Sequence, residues 1–414
     1  MNRTMKQIGL AVLVLALCGA GMALAAPGEG VRIGNLIVSP FLDLSMTYDS
    51  NVYLTRPDEQ DDIFSDIVGG VAFVNKTERL ILAGRGWGQF RRYADATDKN
   101  SDGYGEKLNL VWGNERKLSL AVGQKFVRLD DYELTPRSVD TLNLPSQLLL
   151  LTEDRTERVD RKLFDISPVL RYLPTDKSEL DVGYSYNSVG YKDDTLYDWY
   201  ENRGQVEATH KITDKTAGLV TLQYSQQNSD SFQDPSTYYI VRGGVLQKVT
   251  AKTTVKAGVG VQDYNFGQQS STGDNLDKTM MNFDVIASWQ ATDKLSFEAS
   301  GRNAIQPATQ YSANTKEVTL ASVGVGYDVT DHLTFTLAGS YREDDYIGRV
   351  ETPGGLRNKR RDLVGGRARL DYRPHVKFCN VFVETTYEDV DDTVEDDYND
   401  YDQWRVSGGV SLRY

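Results

Sequence analysis

The sequence predicts an all-β protein: a transmembrane, antiparallel, up-and-down β-barrel of about 18 strands, with 16 as the alternative. Three observations predict it. A secretory-type segment opens the chain, short polar turns recur at a nearly constant spacing, and the last ten residues alternate in character and stop on an aromatic. In that last segment Val406, Gly408, Val410, Leu412 and Tyr414 fall on one face and Arg405, Ser407, Gly409, Ser411 and Arg413 on the other. A period of two is how a strand separates lipid from water.

Residues 1–25 read as a signal peptide. Arg3 and Lys6 give a positive start, Ile8 to Leu17 an apolar stretch, and Ala23, Leu24 and Ala25 a small-residue site cut between Ala25 and Ala26. The apolar stretch falls short of the roughly 20 residues a spanning helix needs, which argues against an anchor. Leu17 is larger than the residue that usually precedes a lipid-bearing cysteine, which argues against lipidation at Cys18. Cleavage leaves Cys379 as the sole cysteine, so no intrachain disulfide is expected. It also leaves 44 basic against 59 acidic residues, a net charge of −15, which argues against nucleic acid as a partner.

Residues 26–35 then read as a short periplasmic segment and 36–414 as the barrel. Mean hydropathy is −0.46, yet the chain carries 24 Tyr and 36 Gly. Aromatic-rich alternating segments without long apolar runs suit a membrane barrel, because half of every strand faces water.

Eight short turns order the strands: Lys76 to Arg79, Asn114 to Lys117, Thr175 to Lys177, Thr213 to Lys215, Thr250 to Lys252, Thr292 to Lys294, Thr330 to His332, and Pro374 to Lys377. Between their middle residues all separations but one lie between 37 and 44, and the exception is 61. One hairpin per interval explains this, and eight turns give nine hairpins and 18 strands. Short turns belong in the periplasm and long loops outside, so both chain ends are expected in the periplasm.

Several lipid faces follow from alternation: Leu333 to Tyr341, Leu295 to Gly301, Met281 to Trp289 and Val220 to Tyr224, taking every second residue. Segments 79–93, 238–248 and 376–391 alternate less clearly. Phe73, Trp112, Tyr172, Trp289, Tyr327 and Tyr372 precede short turns; Tyr48, Tyr93, Tyr132, Tyr224, Tyr264, Tyr341 and Tyr387 sit at the opposite strand ends. The expectation is two interfacial girdles.

The stretch Tyr48-Asp49-Ser50-Asn51-Val52-Tyr53 resembles the first strand and loop of an outer-membrane β-barrel porin family that includes exopolysaccharide-associated barrels. The resemblance implies a transmembrane barrel linked to surface polysaccharide. It supplies no catalytic residues. Read from the residues alone, Asp49 and Asn51 equally suit local turns.

An 18-stranded barrel is wide enough for an aqueous channel. Lys125, Arg171, Lys211, Glu298 and Arg302 should line the lumen, as should Arg342, Arg367, Arg369 and Asp371. A charge at the lipid-facing midplane costs roughly 2–4 kcal/mol, which selects this register over its opposite. Arg342, Arg367 and Arg369 form a basic stripe that either guides anionic solutes or pairs with Asp328, Asp344 and Asp371. The long loop 131–160, with Leu148 to Leu151, has three readings: inward folding, a surface contact, or an extension of the sixth strand. The acidic segment with Asp391, Asp392, Glu395, Asp396 and Asp397 is a weak calcium candidate, lacking a fixed ligand spacing. A solvated loop near the basic cluster Arg357 to Arg361 is its plainer reading.

Only His210, His332 and His375 are present, none set for nucleophile activation, and no phosphate loop or zinc motif occurs. No enzyme activity and no cofactor are expected. The expected function is a porin-like channel for hydrophilic solutes, with exopolysaccharide export as the resemblance suggests; the alternative is a structural or surface-interaction barrel plugged by its loops. Expected partners are outer-membrane lipid, lipopolysaccharide, polysaccharide secretion components, and the barrel assembly machinery, read through Val410, Leu412 and Tyr414.

Overall fold

A computed structural model describes residues 30–55, 58–113, 117–130, 160–192, 198–229, 235–265, 277–307, 315–352, 355–374, 378–392 and 400–414. The proposed cleavage site at Ala25 and Ala26, Tyr132 and the loop 131–159 lie outside these residues. The strands are β1 (Val31–Ile33), β2 (Leu36–Asp49), β3 (Asp62–Lys76), β4 (Leu80–Tyr93), β5 (Ser101–Trp112), β6 (Leu118–Asp130) and β7 (Asp160–Thr175). They continue as β8 (Ser178–Tyr191), β9 (Trp199–Lys211), β10 (Thr216–Ser229), β11 (Ser236–Thr250), β12 (Thr253–Asn265) and β13 (Lys278–Gln290). The last are β14 (Leu295–Pro307), β15 (Thr315–Thr330), β16 (Leu333–Thr352), β17 (Gly355–Tyr372), β18 (Cys379–Asp392) and β19 (Tyr401–Arg413).

Strands β2 to β19 form a closed antiparallel barrel of 18 strands, each paired with its sequence neighbours. β19 closes it on β2: Val410 lies opposite Leu44, Leu412 opposite Leu42, and the Tyr414 N–H donates to the Pro40 carbonyl at 3.1 Å. Closure removes both open edges. β1 is a short hairpin partner of β2, pairing Val31 with Val38.

The short turns carry a local mechanism. In the Thr-x-Lys turns the Thr hydroxyl accepts the N–H two residues on: Thr175 from Lys177, Thr213 from Lys215, Thr250 from Lys252 and Thr292 from Lys294, at 3.1–3.2 Å. Thr330 does the same for His332. A side chain that mimics a backbone turn is why threonine recurs there.

The two faces of the wall differ in chemistry. Val259, Met281, Val323 and Leu337 are exposed outward, with Trp112, Tyr172, Trp289, Tyr327 and Tyr372 near the short-turn end. Tyr48, Tyr224 and Tyr341 are exposed near the long-loop end, where Tyr387 meets Trp404 in a tilted pair with ring centres 4.6 Å apart. Tyr93 and Tyr264 depart from the expected second girdle. Both point inward and are buried, because Tyr93 shares its side of β4 with Arg85 and Arg91, and Tyr264 shares its side of β12 with Lys256 and Gln262.

The inward face is also less uniformly polar than alternation suggests. Phe41, Val68, Trp87 and Val127 form a buried cluster there, with Leu163 against it. Gly105 faces Trp87 from β5 and leaves the indole room that a Cβ would take. These inward aromatics blur the alternation of 79–93, and Tyr238 and Ile240 blur that of 238–248 in the same way.

Candidate channel lumen

At the long-loop end one turn packs inside the wall. The segment after β2 turns inward instead of out to solvent: Asn51, Val52 and Leu54 are buried, Asn51 completely. Val52 packs with Phe64, Tyr93 and Ala96, and Leu54 packs with Leu363, Val390 and Tyr401. The turn therefore bridges the inner wall on both sides of β2.

Asn51 is the peg of that turn. Its Nδ2 donates to the carbonyls of Thr55 at 2.9 Å and Asp402 at 3.0 Å, and its Oδ1 accepts the Thr55 N–H at 3.1 Å. Its backbone N–H donates to Asp49 Oδ1 at 3.1 Å, so the local turn is present too. Asp49 is itself held by Gln403 at 2.7 Å and by Arg405 at 2.9 Å. Leu54 is the single non-glycine residue with positive φ among the described residues, at 54°. That conformation is unfavourable for an L side chain, and the buried contacts of Leu54 hold it.

Elsewhere at this end, two carboxylates gather several partners each. Glu201 accepts from Arg203 at 2.8 Å, from Tyr238 at 2.6 Å and from Ser225. Asp344 binds Arg342 at 2.6 Å and Lys316 at 2.7 Å, all three being buried. Of the two readings of the basic stripe, Arg342 follows the second: it pairs with Asp344 and is packed in this triad.

Below this turn a cleft of about 90 Å³ opens against β2 to β4 and β17 to β19, lined by Thr47, Asp66, Arg91, Arg369, Glu384 and Arg405 among others. Arg367 binds Glu384 at 2.5 Å, while Arg369 binds Asp371 at 2.7 Å and Glu384 at 3.2 Å. The basic stripe is thus neutralised, largely by Glu384, a residue the sequence reading missed. Glu384 could have been found only through the β17–β18 register, which sets it opposite Arg369.

The remaining inward residues lie nearer the short-turn end or mid-wall. Lys125 faces Lys107 and Asp165 on neighbouring strands, Arg171 pairs with Asp181 at 2.8 Å, and Lys211 is exposed. Glu298 and Arg302 share one side of β14, Arg302 opposite Asp284. Asp391 and Asp392 end β18, and the Asp392 N–H donates to Asp400 at 2.6 Å; Glu395, Asp396 and Asp397 lie outside the described residues. No metal-binding group of acids, histidines or cysteines occurs among the described residues.

No family model matches the chain, and no curated protein does. Solved structures with barrel form do. Vanillate-bound OpdK of Pseudomonas aeruginosa is 11% identical with a TM-score of 0.47, covering 91% of this chain and 99% of its own. OccAB3 of Acinetobacter baumannii is 9% identical with a TM-score of 0.48, covering 92% and 100%. The siderophore receptor PirA of Pseudomonas aeruginosa is 8% identical with a TM-score of 0.46, covering 94% and 81%. By form the chain is a closed antiparallel β-barrel of 18 strands. That statement rests on its own closed wall, apolar outside and charged within.

The pairing of the stripe has a measurable consequence. Glu384→Gln should shift the reversal potential in a salt gradient toward anions, because it removes the carboxylate that two guanidinium groups share. Arg367→Ser, which removes one charge and leaves Glu384 bound to Arg369, should shift it less and toward cations. Equal and opposite shifts would mean that the two arginines do not share Glu384.

Proposed function

We propose that the protein is an outer-membrane channel for hydrophilic solutes whose outer mouth is controlled by the inward turn at 51–55. The observation that carries this reading is the inversion of the wall: a continuous apolar belt outside, and charged side chains inside a closed barrel. Planar-bilayer recording tests it. Stepwise single-channel currents are expected, and a correctly inserted barrel that stays silent would sink the reading.

A second reading, a structural or surface-interaction barrel with a plugged lumen, draws support from the buried triad around Asp344 and the apolar clusters within the wall. The same recording separates the two. Polysaccharide export is the finer form of the channel reading, supported by the resemblance at 48–53. It predicts transient current blocks when an anionic polysaccharide is added on the short-turn side and none with a neutral dextran of equal size.

In this reading both termini are periplasmic, and Val410, Leu412 and Tyr414 present the closing strand to the assembly machinery. Lipid and lipopolysaccharide meet the outer face, and secretion components meet the short-turn end. Val259→Arg probes the lipid contact directly. At an outward site 57% exposed it should cost about 2–4 kcal/mol of folding free energy in vesicles, read from urea-dependent refolding. A change under about 0.5 kcal/mol is what an ordinary water-facing surface would give.

A further inference from the structure

The ladder between β13 and β14 is the shortest in the barrel wall. It runs from Gln290 opposite Ser296 only as far as Asp284 opposite Arg302. Above that point residues 278–283 of β13 remain paired with β12, and residues 303–307 of β14 remain paired with β15, but the two edges do not pair with each other.

Side chains bridge the gap instead. Asn282 Nδ2 donates to the Asn303 carbonyl at 2.8 Å, Gln262 Oε1 accepts the Ile305 N–H at 3.4 Å, and Lys278 binds Glu317 at 2.6 Å. The end of β14 has slipped inside the wall. Ile305 packs against Tyr238, Ile240, Tyr264 and Met280, which face inward from β11, β12 and β13, and Ile347 of β16 joins them. Two layers of wall overlap there with an apolar interface between them.

An unpaired strand edge at membrane depth is tolerated only where protein or water covers it, so an unzipped seam next to lipid-facing Met281 and Val261 calls for a use. The foot of the slot adds the chemistry. Arg302 ends the ladder, points to the lumen, and makes no ion pair or side-chain hydrogen bond among the described residues. Its opposite residue Asp284 lies 3.7 Å from Arg242. A cation below an apolar slot is complementary to a carboxylate that carries a chain.

We propose that the β13–β14 seam is a binding slot and lateral portal for a long-chain carboxylate, its head on Arg302 and its chain between the overlapped layers. The portal rests on the outer face meeting lipid, and it adds to the axial channel a path between lumen and outer leaflet. The side-chain bridges part without breaking any ladder, so the seam can widen while the wall stays closed below Asp284.

The test uses the mature chain folded in phosphatidylcholine vesicles, with a diazirine-bearing palmitic acid as probe. Irradiation should place adducts on Tyr238, Met280 and Ile305, and excess palmitate should abolish them. Arg302→Gln should weaken binding about tenfold, as loss of a charge-assisted contact does. Ile305→Glu should abolish the adducts while the barrel keeps its heat-modifiable migration. Adducts spread over Val259, Met281 and Val323 without competition would overturn the proposal, as would full labelling of Arg302→Gln. Conductance of the same preparation reports on the channel separately: a conducting barrel without saturable adducts defeats the portal alone, and a silent, saturably labelled one defeats the channel alone.

Discussion

Asn51→Ala is expected to raise single-channel conductance several-fold and to expose the turn 51–55 to solvent. The substitution removes one carboxamide and strands the Thr55 N–H, the Thr55 carbonyl and the Asp402 carbonyl, all satisfied by it. A buried polar group left unpaired costs about 1–3 kcal/mol. Water at the mouth will recover part of this, so docking of the turn should weaken by about 2–4 kcal/mol, a shift of roughly thirtyfold or more in the docked population. Leu54 adds to the effect. Its positive φ is held by contacts with Leu363, Val390 and Tyr401, and release of the turn relieves that strain. Thr55→Cys in a Cys379→Ser background gives the second readout, reacting slowly with a membrane-impermeant thiol reagent until Asn51→Ala is added. Unchanged conductance and unchanged reactivity together would mean that Asn51 does not hold the mouth.

The barrel was legible from the sequence because its signals repeat. Short turns, five of them built on one threonine device, and outward faces spaced by two need no knowledge of which strands meet, and the pairing of β19 with β2 follows once the strands are counted. The lumen was less legible for the opposite reason. Leu54 and its contacts Leu363, Val390 and Tyr401 are some three hundred residues apart in the chain, and nothing local to Val52 or Leu54 says that the loop turns in. Tyr93 and Tyr264 are a different case. Parity was sufficient to turn them inward, since Arg91 and Lys256 share their sides, but aromatic placement at strand ends pointed to a girdle. The partnership of Glu384 with two arginines, and the overlap at β13–β14, depend on register and on a ladder that stops early, neither of which a single strand's pattern carries.

Asp344→Asn is expected to lower the stability of the folded barrel by about 3–5 kcal/mol, the largest single-residue loss among the lumenal charges. Arg342 and Asp344 lie two residues apart on one side of β16, and Lys316 reaches the same carboxylate from β15, all three out of contact with water. The carboxylate balances two cations. Without it, Arg342 and Lys316 lose the anion they share while staying buried close to one another, and repulsion adds to the desolvation already incurred. The amide keeps one acceptor oxygen, which should hold the loss toward the lower end of the range. Lys316→Met added to Asp344→Asn should restore much of the lost stability, because it removes a buried cation and leaves an apolar stem of similar length. Heat-modifiable migration and urea unfolding of the parent, the two single variants Asp344→Asn and Lys316→Met, and the double variant complete the cycle. A single variant as stable as the parent would mean that lumenal water reaches the triad. The same triad stands beside the overlapped ends of β14 to β16. Asp344→Asn should therefore also loosen the packing of Ile347 against Met280 and Ile305, and saturable labelling of the seam should rise as stability falls. Lys316→Met in the same background should reverse both changes together, tying the buried charges to the closure of the wall.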